Sequence, residues 1–161
     1  MTEAVKKIDR YVNKFLAFTA ITMLAAMSVI VFAQVVFRIV HASIPWSEEA
    51  SKYLLIWSTF LGSAMGIRKG SMVGLEFLGN ALPGRCSKVL KMLVDAVMAV
   101  QLLLLIIVGF WASRRVWFQT TPVLKLPMGL MYAAIPVGSV FMLFNLFVTA
   151  FYRLTGKEEE E

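Results

Sequence analysis

Two long stretches of this chain contain no charged side chain, and they restrict its fold more than any other feature. Residues 15 to 37 form an uncharged run of 23, and residues 128 to 152 form one of 25. About 20 apolar residues in an α-helix cross a hydrocarbon core of roughly 30 Å. A mean hydropathy of +0.75, with only 16% charged residues, extends the same indication to the whole chain. The sequence therefore predicts an all-α integral membrane protein.

Four membrane spans fit within 161 residues, which predicts a single membrane domain over residues 1 to 161. The second span is unusual, because only 15 consecutive positions, residues 53 to 67, are uncharged. We expect it to begin near Trp46 and to bring several charges to the membrane edge. The four predicted spans are residues 15–37, 46–67, 89–113 and 128–152.

Basic residues outside the spans, together with Lys91 at the very start of the third span, predict the orientation of the chain. Eleven Lys and Arg residues lie on the side of the two termini and the middle connection, and four lie on the opposite side. Because cytoplasmic loops carry the excess of Lys and Arg, both termini are predicted to be cytoplasmic. Residues 3 to 14 place apolar and charged side chains on opposite faces, which predicts an N-terminal amphipathic helix in the membrane interface. The net charge of +6 fits contact with membrane lipid and requires no nucleic acid.

The start of the second span carries two carboxylates and a lysine. Either Ser47 or Ser43 could act as the N-cap, the latter with Pro45 in the first turn. Glu48 and Glu49 would then complement the positive end of the helix dipole. Lys52 lies three and four residues further on and can neutralise one of them, which leaves one carboxylate for another cation. Candidates for this cation are a basic residue of another protein or one of Arg38, Arg114 and Arg115. The two carboxylates could serve as simple caps of the helix, assemble a complex, or bind substrate or a proton, and all three roles remain open.

Other residue types argue against catalysis. One histidine, His41, and one cysteine, Cys86, cannot form a closed zinc site, and no phosphate-binding loop or catalytic triad is present. No catalytic, metal or cofactor-binding residue is predicted, and we expect a protein that is not an enzyme. Small residues at Gly62, Ala64 and Gly66 predict a close helix crossing.

Three motifs stand in order along the chain: IPWSEEASKYLLIWSTFLGSAMGIRKG from Ile44, the Leu82-Pro83 pair, and QTTPVLKLPMGLMYAAIPVGSV from Gln119 to Val140. Together they resemble the small membrane subunit of tripartite ATP-independent periplasmic (TRAP) transporters. The resemblance covers nearly the whole chain. At one position the chain differs from the pattern common in that family, since Ser71 stands where a histidine usually follows the arginine and glycine.

The resemblance implies an accessory subunit of the bacterial cytoplasmic membrane. Such a subunit braces a larger, sodium-coupled elevator subunit and supports docking of an extracytoplasmic substrate-binding protein, for uptake of carboxylate-bearing organic anions. It implies contacts with the large subunit at Pro45, Trp46, Glu48, Glu49, Lys52, Trp57, Gly62 and Arg68. Docking of the binding protein would fall to Arg38, Arg114, Arg115 and Lys125.

One alternative belongs to another class of membrane protein. A homodimeric multidrug or proton antiporter can also be built from four-helix protomers. Such an antiporter would favour an acidic residue in the middle of the membrane, and the uncharged run of residues 15 to 37 argues against it.

Overall fold

The computed structural model describes residues 2–42, 44–68 and 84–155, which form four α-helices. Their bounds are Thr2–Ile39 for α1, Pro45–Arg68 for α2, Gly84–Arg115 for α3 and Met128–Thr155 for α4. Within these residues, β-type pairing is limited to one bridge, between Thr120 and Pro127. Helices satisfy their own backbone groups, which apolar surroundings require. The all-α prediction is confirmed.

Three of the four helices are long and apolar enough to cross a membrane. These segments are Asp9–Ile39 in α1, Val89–Arg115 in α3 and Met128–Phe151 in α4. The 24 residues of α2 would reach about 36 Å, but with its charges, hydroxyls and glycines this helix is not among the three. The chain is a membrane protein on these grounds. That α2 is also a membrane span, and that the termini are cytoplasmic, stay predictions.

The N-terminal segment and the first predicted span form one unbroken helix. α1 contains 38 residues, or about 57 Å of helix, and no glycine or proline interrupts it. Residues 3 to 14 are helical, and they continue into the span without a break in the backbone. That this segment lies in the membrane interface stays a prediction. The buried positions near the start of α1 repeat every three or four residues: Asp9, Asn13, Leu16 and Ala20.

The centre of the bundle consists of α2 and α4, which pack against each other. α1 packs on α2 from one side, and α3 packs on α4 from the other. Large apolar side chains on the outer faces, such as Phe18 of α1 and Trp111 of α3, remain exposed. Such faces suit lipid tails or another membrane protein. The buried core comprises Leu16, Ala20, Leu61, Ala64, Leu102, Met142 and Leu146.

Two glycines in the middle of α3 and α4 make room for close helix contacts. A Cβ atom at Gly138 would lie 2.6 Å from Cβ of Phe60, where α4 meets α2. At Gly109, a Cβ atom would lie 2.9 Å from Cδ of Pro136. α3 therefore passes directly over the proline ring, and α4 continues as a helix through this proline.

The small residues of α2 that predicted a close crossing behave differently from one another. Ala64 is fully buried in the core. A Cβ atom at Gly62 or Gly66, however, would meet no atom within 4 Å. Within the described part of the chain, these two glycines therefore leave space open that no helix of this chain fills.

Candidate functional site

Two polar clusters hold opposite ends of α2. The first lies at the end formed by the start of α2 and the connection of residues 116–127, which we call the loop end. The second lies at the end formed by the start of α1 and the end of α2, which we call the terminal end. Both clusters join helices that are distant in the sequence.

α2 begins at Pro45, a residue that suits the first turn because its missing N–H would have no helical partner. Ser47 lies inside the helix, where its hydroxyl donates to the Ile44 carbonyl at 2.7 Å. The alternative with Ser47 as N-cap is therefore wrong. The other proposed cap, Ser43, lies outside the described residues.

The Glu49 carboxylate binds the connection between α3 and α4. Its Oε1 accepts a hydrogen bond from the Val123 amide at 3.1 Å, and its Oε2 accepts one from the Leu124 amide at 2.8 Å. Charge-assisted hydrogen bonds of this kind are stronger than neutral ones. Glu49 thus fixes the position of the connection relative to α2.

The connection itself is internally hydrogen-bonded. The Thr121 amide donates to the Leu126 carbonyl at 2.9 Å, and the Leu126 amide donates to the Thr121 hydroxyl at 3.2 Å. Lys125 has a positive φ of 55°, and its amide donates to the Thr121 carbonyl at 3.2 Å. The segment is therefore a compact turn that presents its Val123 and Leu124 amides to α2.

Two further side chains on the same face of α2 continue this attachment. The Tyr53 hydroxyl donates to the Pro127 carbonyl at 3.0 Å, and the Trp57 indole donates to the Leu130 carbonyl at 3.2 Å. Glu49, Tyr53 and Trp57 are spaced four residues apart, so they form one stripe along the helix. This stripe binds the end of the connection and the first turn of α4.

Glu48 and Lys52 lie exposed beside this stripe. Glu48 accepts a long hydrogen bond of 3.5 Å from the Gln34 side chain of α1. Within the described residues, neither Glu48 nor Glu49 lies within ion-pairing distance of a Lys or Arg nitrogen. Arg38, Arg114 and Arg115 were candidates to pair with one of the two carboxylates, but backbone amides bind the Glu49 carboxylate instead. A basic residue of another protein as the partner stays a prediction.

The terminal end contains a buried network around Asp9 of α1. An Arg68 guanidinium nitrogen lies 2.5 Å from the Asp9 carboxylate, and the Asn13 amide donates to that carboxylate at 2.8 Å. Asn13 and Asn145 of α4 exchange hydrogen bonds of 3.1 Å. The Asn145 amide also donates to the Ala64 carbonyl of α2 at 2.6 Å. This network joins α1, α2 and α4.

Burial makes the network energetically important. The Asp9 side chain is 1% exposed and Asn145 is fully buried, whereas the Arg68 side chain is 25% exposed. Removing one member of a buried polar network is costly, since the remaining groups cannot turn to water. The terminal end is therefore held by a defined arrangement of partners.

Sequence reasoning missed Asp9 and Asn13. A usable signal was present, because residues 9, 13, 16 and 20 share one helix face. That periodicity would have placed Asp9 and Asn13 in line with the buried residues Leu16 and Ala20.

The residues predicted to contact a partner fall into two groups. Glu49, Trp57 and Arg68 make contacts within the chain. The side chains of Pro45, Trp46, Glu48 and Lys52 are exposed, and Gly62 borders open space. The four cations predicted to dock a binding protein are exposed at the loop end: Arg38, Arg114, Arg115 and Lys125.

The carboxylates of these clusters bind other parts of the same chain. Glu49 is occupied by amides, and Asp9 by Arg68 and Asn13. Across the described residues, no group of three or more His, Cys, Asp and Glu side chains could hold a metal ion.

Comparison with known proteins assigns the chain to a family. Residues 27–156 match the family described as "Tripartite ATP-independent periplasmic transporters, DctQ component". A Haemophilus influenzae protein that is named as a TRAP transporter small permease protein is 32% identical. The match covers 94% of this chain and 98% of that protein. The C4-dicarboxylate TRAP transporter small permease protein DctQ of Vibrio cholerae is 23% identical, over 94% of this chain and 76% of its own.

A third relative is much longer than this chain. The sialic acid TRAP transporter permease protein SiaT of Haemophilus influenzae is 28% identical over 84% of this chain, but the match covers only 22% of SiaT. In that protein, a segment similar to this chain is therefore part of a larger permease polypeptide. The matched range contains the motifs at Pro45 to Glu49 and Gln119 to Val140, and the chain belongs to the DctQ-component family of small TRAP transporter permease subunits.

Proposed function

We propose that this chain is a static brace for the large membrane subunit of a TRAP transporter. The observation that carries the proposal is the attachment of α2 at both ends, through Glu49 at the loop end and Arg68 at the terminal end. α2 and α4, held together in this way, form the rigid centre of the bundle. A rigid small subunit can support a partner that moves during transport.

The contact surface for the large subunit lies on the exposed part of the α2 start. Pro45, Trp46, Glu48 and Lys52 offer an aromatic ring and charges of both signs to a partner. Farther along, the open space at Gly62 would admit the backbone of a partner helix. The internal contacts of Glu49, Trp57 and Arg68 would hold this surface in shape.

The loop end is the proposed docking surface for the extracytoplasmic binding protein. In the orientation predicted from the basic residues, it faces away from the cytoplasm. Exposed cations there, such as Arg38 and Lys125, could steer an acidic surface into contact. In this orientation α2 also crosses the membrane, as the second of four spans, the termini are cytoplasmic, and the protein resides in the bacterial cytoplasmic membrane.

The transported substrate is proposed from the relatives. Their names specify C4-dicarboxylate in one case and sialic acid in another, and both of these compounds carry carboxylates. We propose sodium-coupled uptake of a carboxylate-bearing organic anion, with the ion and substrate sites in the large subunit. The family match does not favour the independent antiporter.

Two neighbouring glutamates allow a matched test. Glu49→Gln replaces one carboxylate oxygen by an NH₂ group, which would face an amide donor instead of accepting from it. Glu48→Gln removes the same charge from one exposed contact of the proposed surface, which contributes little by itself, and it leaves the attachment of the connection to α2 intact. Tagged variants would be purified in mild detergent together with the large subunit.

We expect Glu49→Gln to reduce the amount of large subunit recovered per tagged chain more than Glu48→Gln does, at equal membrane insertion of the two variants. Equal recovery for both variants would contradict a bracing role for the Glu49 attachment. Recovery of the tagged chain only as a homodimer would instead favour the antiporter.

A further inference from the structure

An apolar groove of about 670 Å³ runs between α3 and α4 on the outside of the bundle. This volume lies in the range of ligand pockets, roughly 300–1,000 Å³. Its walls are formed by Ile106, Ile107 and Phe110 of α3 and by Pro136, Val137 and Val140 of α4. Both helices contain segments that are apolar enough to cross a membrane, so the groove lies where lipid tails are present.

The lining of the groove matches a hydrocarbon chain. Ser113 supplies the one hydroxyl in the lining, and that hydroxyl donates to the Gly129 carbonyl at 2.8 Å. Its hydrogen is therefore committed within the protein. A carboxylate-bearing substrate would lose its hydration here without gaining partners, whereas an acyl chain would lose nothing.

The loop end of the groove has the composition of a membrane boundary. Trp111 and Trp117 line the groove there, and tryptophan is enriched at the level of lipid head groups. Arg114 follows Trp111 by three residues and Ile107 by seven, so it extends the same face of α3 toward the boundary. Arg114 and Arg115 are both exposed.

We propose that this groove binds an acyl chain of an anionic phospholipid and that Arg114 and Arg115 bind its phosphate-containing head group. Guanidinium groups suit this role, because their paired N–H donors match the oxygens of a phosphate. The placement of two cations beside the end of an apolar groove is complementary to the charge and shape of such a lipid. Arg38 and Lys125 then remain as the docking cations for the binding protein.

The amount of lipid that the purified chain retains measures how much the head group contributes to binding. The full-length chain would be purified in neutral detergent, mixed with phosphatidylglycerol or phosphatidylcholine of identical acyl chains, and examined by native mass spectrometry. We expect preferential retention of phosphatidylglycerol, and a loss of about fivefold for each of Arg114→Gln and Arg115→Gln. Arg38→Gln is the matched control, since Arg38 lies exposed at the same end but on α1. Equal retention of the two lipids, or an equal loss in the control, would overturn the proposal.

A second pair of variants tests the groove itself. Ile107 and Val108 are neighbours on α3 with similar exposed fractions, 57% and 62%, but only Ile107 lines the groove. Ile107→Trp should fill part of the groove and reduce retention of both lipids, whereas Val108→Trp should leave it unchanged. Equal behaviour of the two variants would overturn the proposal.

The native membrane provides the final check on the occupant. A photoreactive amino acid at position 107 of the full-length chain should form adducts with the mass of a phospholipid. Adducts with a membrane protein in place of lipid would assign the groove to a partner helix and overturn the proposal.

Discussion

The ion pair between Asp9 and Arg68 permits a quantitative prediction, because its two members differ in burial. Asp9 is 1% exposed and the Arg68 side chain is 25% exposed. Arg68→Gln leaves a buried carboxylate without this guanidinium, and breaking a buried pair in this way costs about 3–5 kcal/mol. Asp9→Asn leaves a guanidinium that water partly reaches. The loss in free energy of unfolding should therefore lie between the values for surface and for buried ion pairs, at about 1–2 kcal/mol.

Unfolding in mixed micelles, followed by the fluorescence of the four tryptophans, would measure both variants and the double variant. We expect Arg68→Gln to lower the free energy of unfolding more than Asp9→Asn does. The double variant should lose about 1–3 kcal/mol less than the sum of the single losses, because the two residues interact directly. An additive double variant, or a larger loss for Asp9→Asn, would refute the assignment of a buried, unequally exposed pair.

Three further predictions concern the loop end and the helix crossings. Glu49→Gln should speed hydrogen exchange of the bound loop amides by about tenfold or more, since charge-assisted bonds contribute roughly 1.5–3 kcal/mol; unchanged exchange, or the same increase in Glu48→Gln, would argue against the attachment. Gly138→Ala should lower the free energy of unfolding by about 1–3 kcal/mol through overpacking, whereas Gly62→Ala should not; equal losses in thermal unfolding would contradict the crossing. Tyr53→Phe should cost about 0.6–1.7 kcal/mol in the same assay, and no loss would show that its hydrogen bond is unimportant.

The helices could be predicted from the sequence because the spans are long and uncharged. The predicted fourth span, residues 128 to 152, coincides closely with α4, Met128–Thr155. The predicted first span began at residue 15, whereas α1 begins at Thr2. Hydropathy reports where a helix can enter lipid, and it does not report where the helix itself begins.

The partners of the polar side chains could not be predicted in the same way. One of Glu48 and Glu49 was expected to find a further cation, but Glu49 binds two backbone amides. Every sequence contains backbone amides, so residue types alone do not reveal such a contact. Arg68 was expected to contact another protein, and its partner Asp9 lies on a helix distant in the sequence. Such pairs depend on how α1 is rotated against α2.

The same dependence explains the glycines. The sequence draws attention to Gly62 and Gly66, which lie four residues apart in the manner of a membrane helix interface. Among the described residues, the close contacts occur instead at Gly109, Gly129 and Gly138. Spacing indicates that one face of a helix carries small side chains. The rotation of the helix decides whether that face meets a neighbouring helix of the same chain.

A chain that acts as one fixed part of a larger transporter should leave the membrane bound to that transporter. Affinity purification of the tagged chain from its own membrane in mild detergent, followed by native mass spectrometry of the intact complex, would measure this. We predict one copy of this chain bound to one much larger polytopic membrane protein. Recovery of the chain only with itself, under several gentle conditions, would rule out this role.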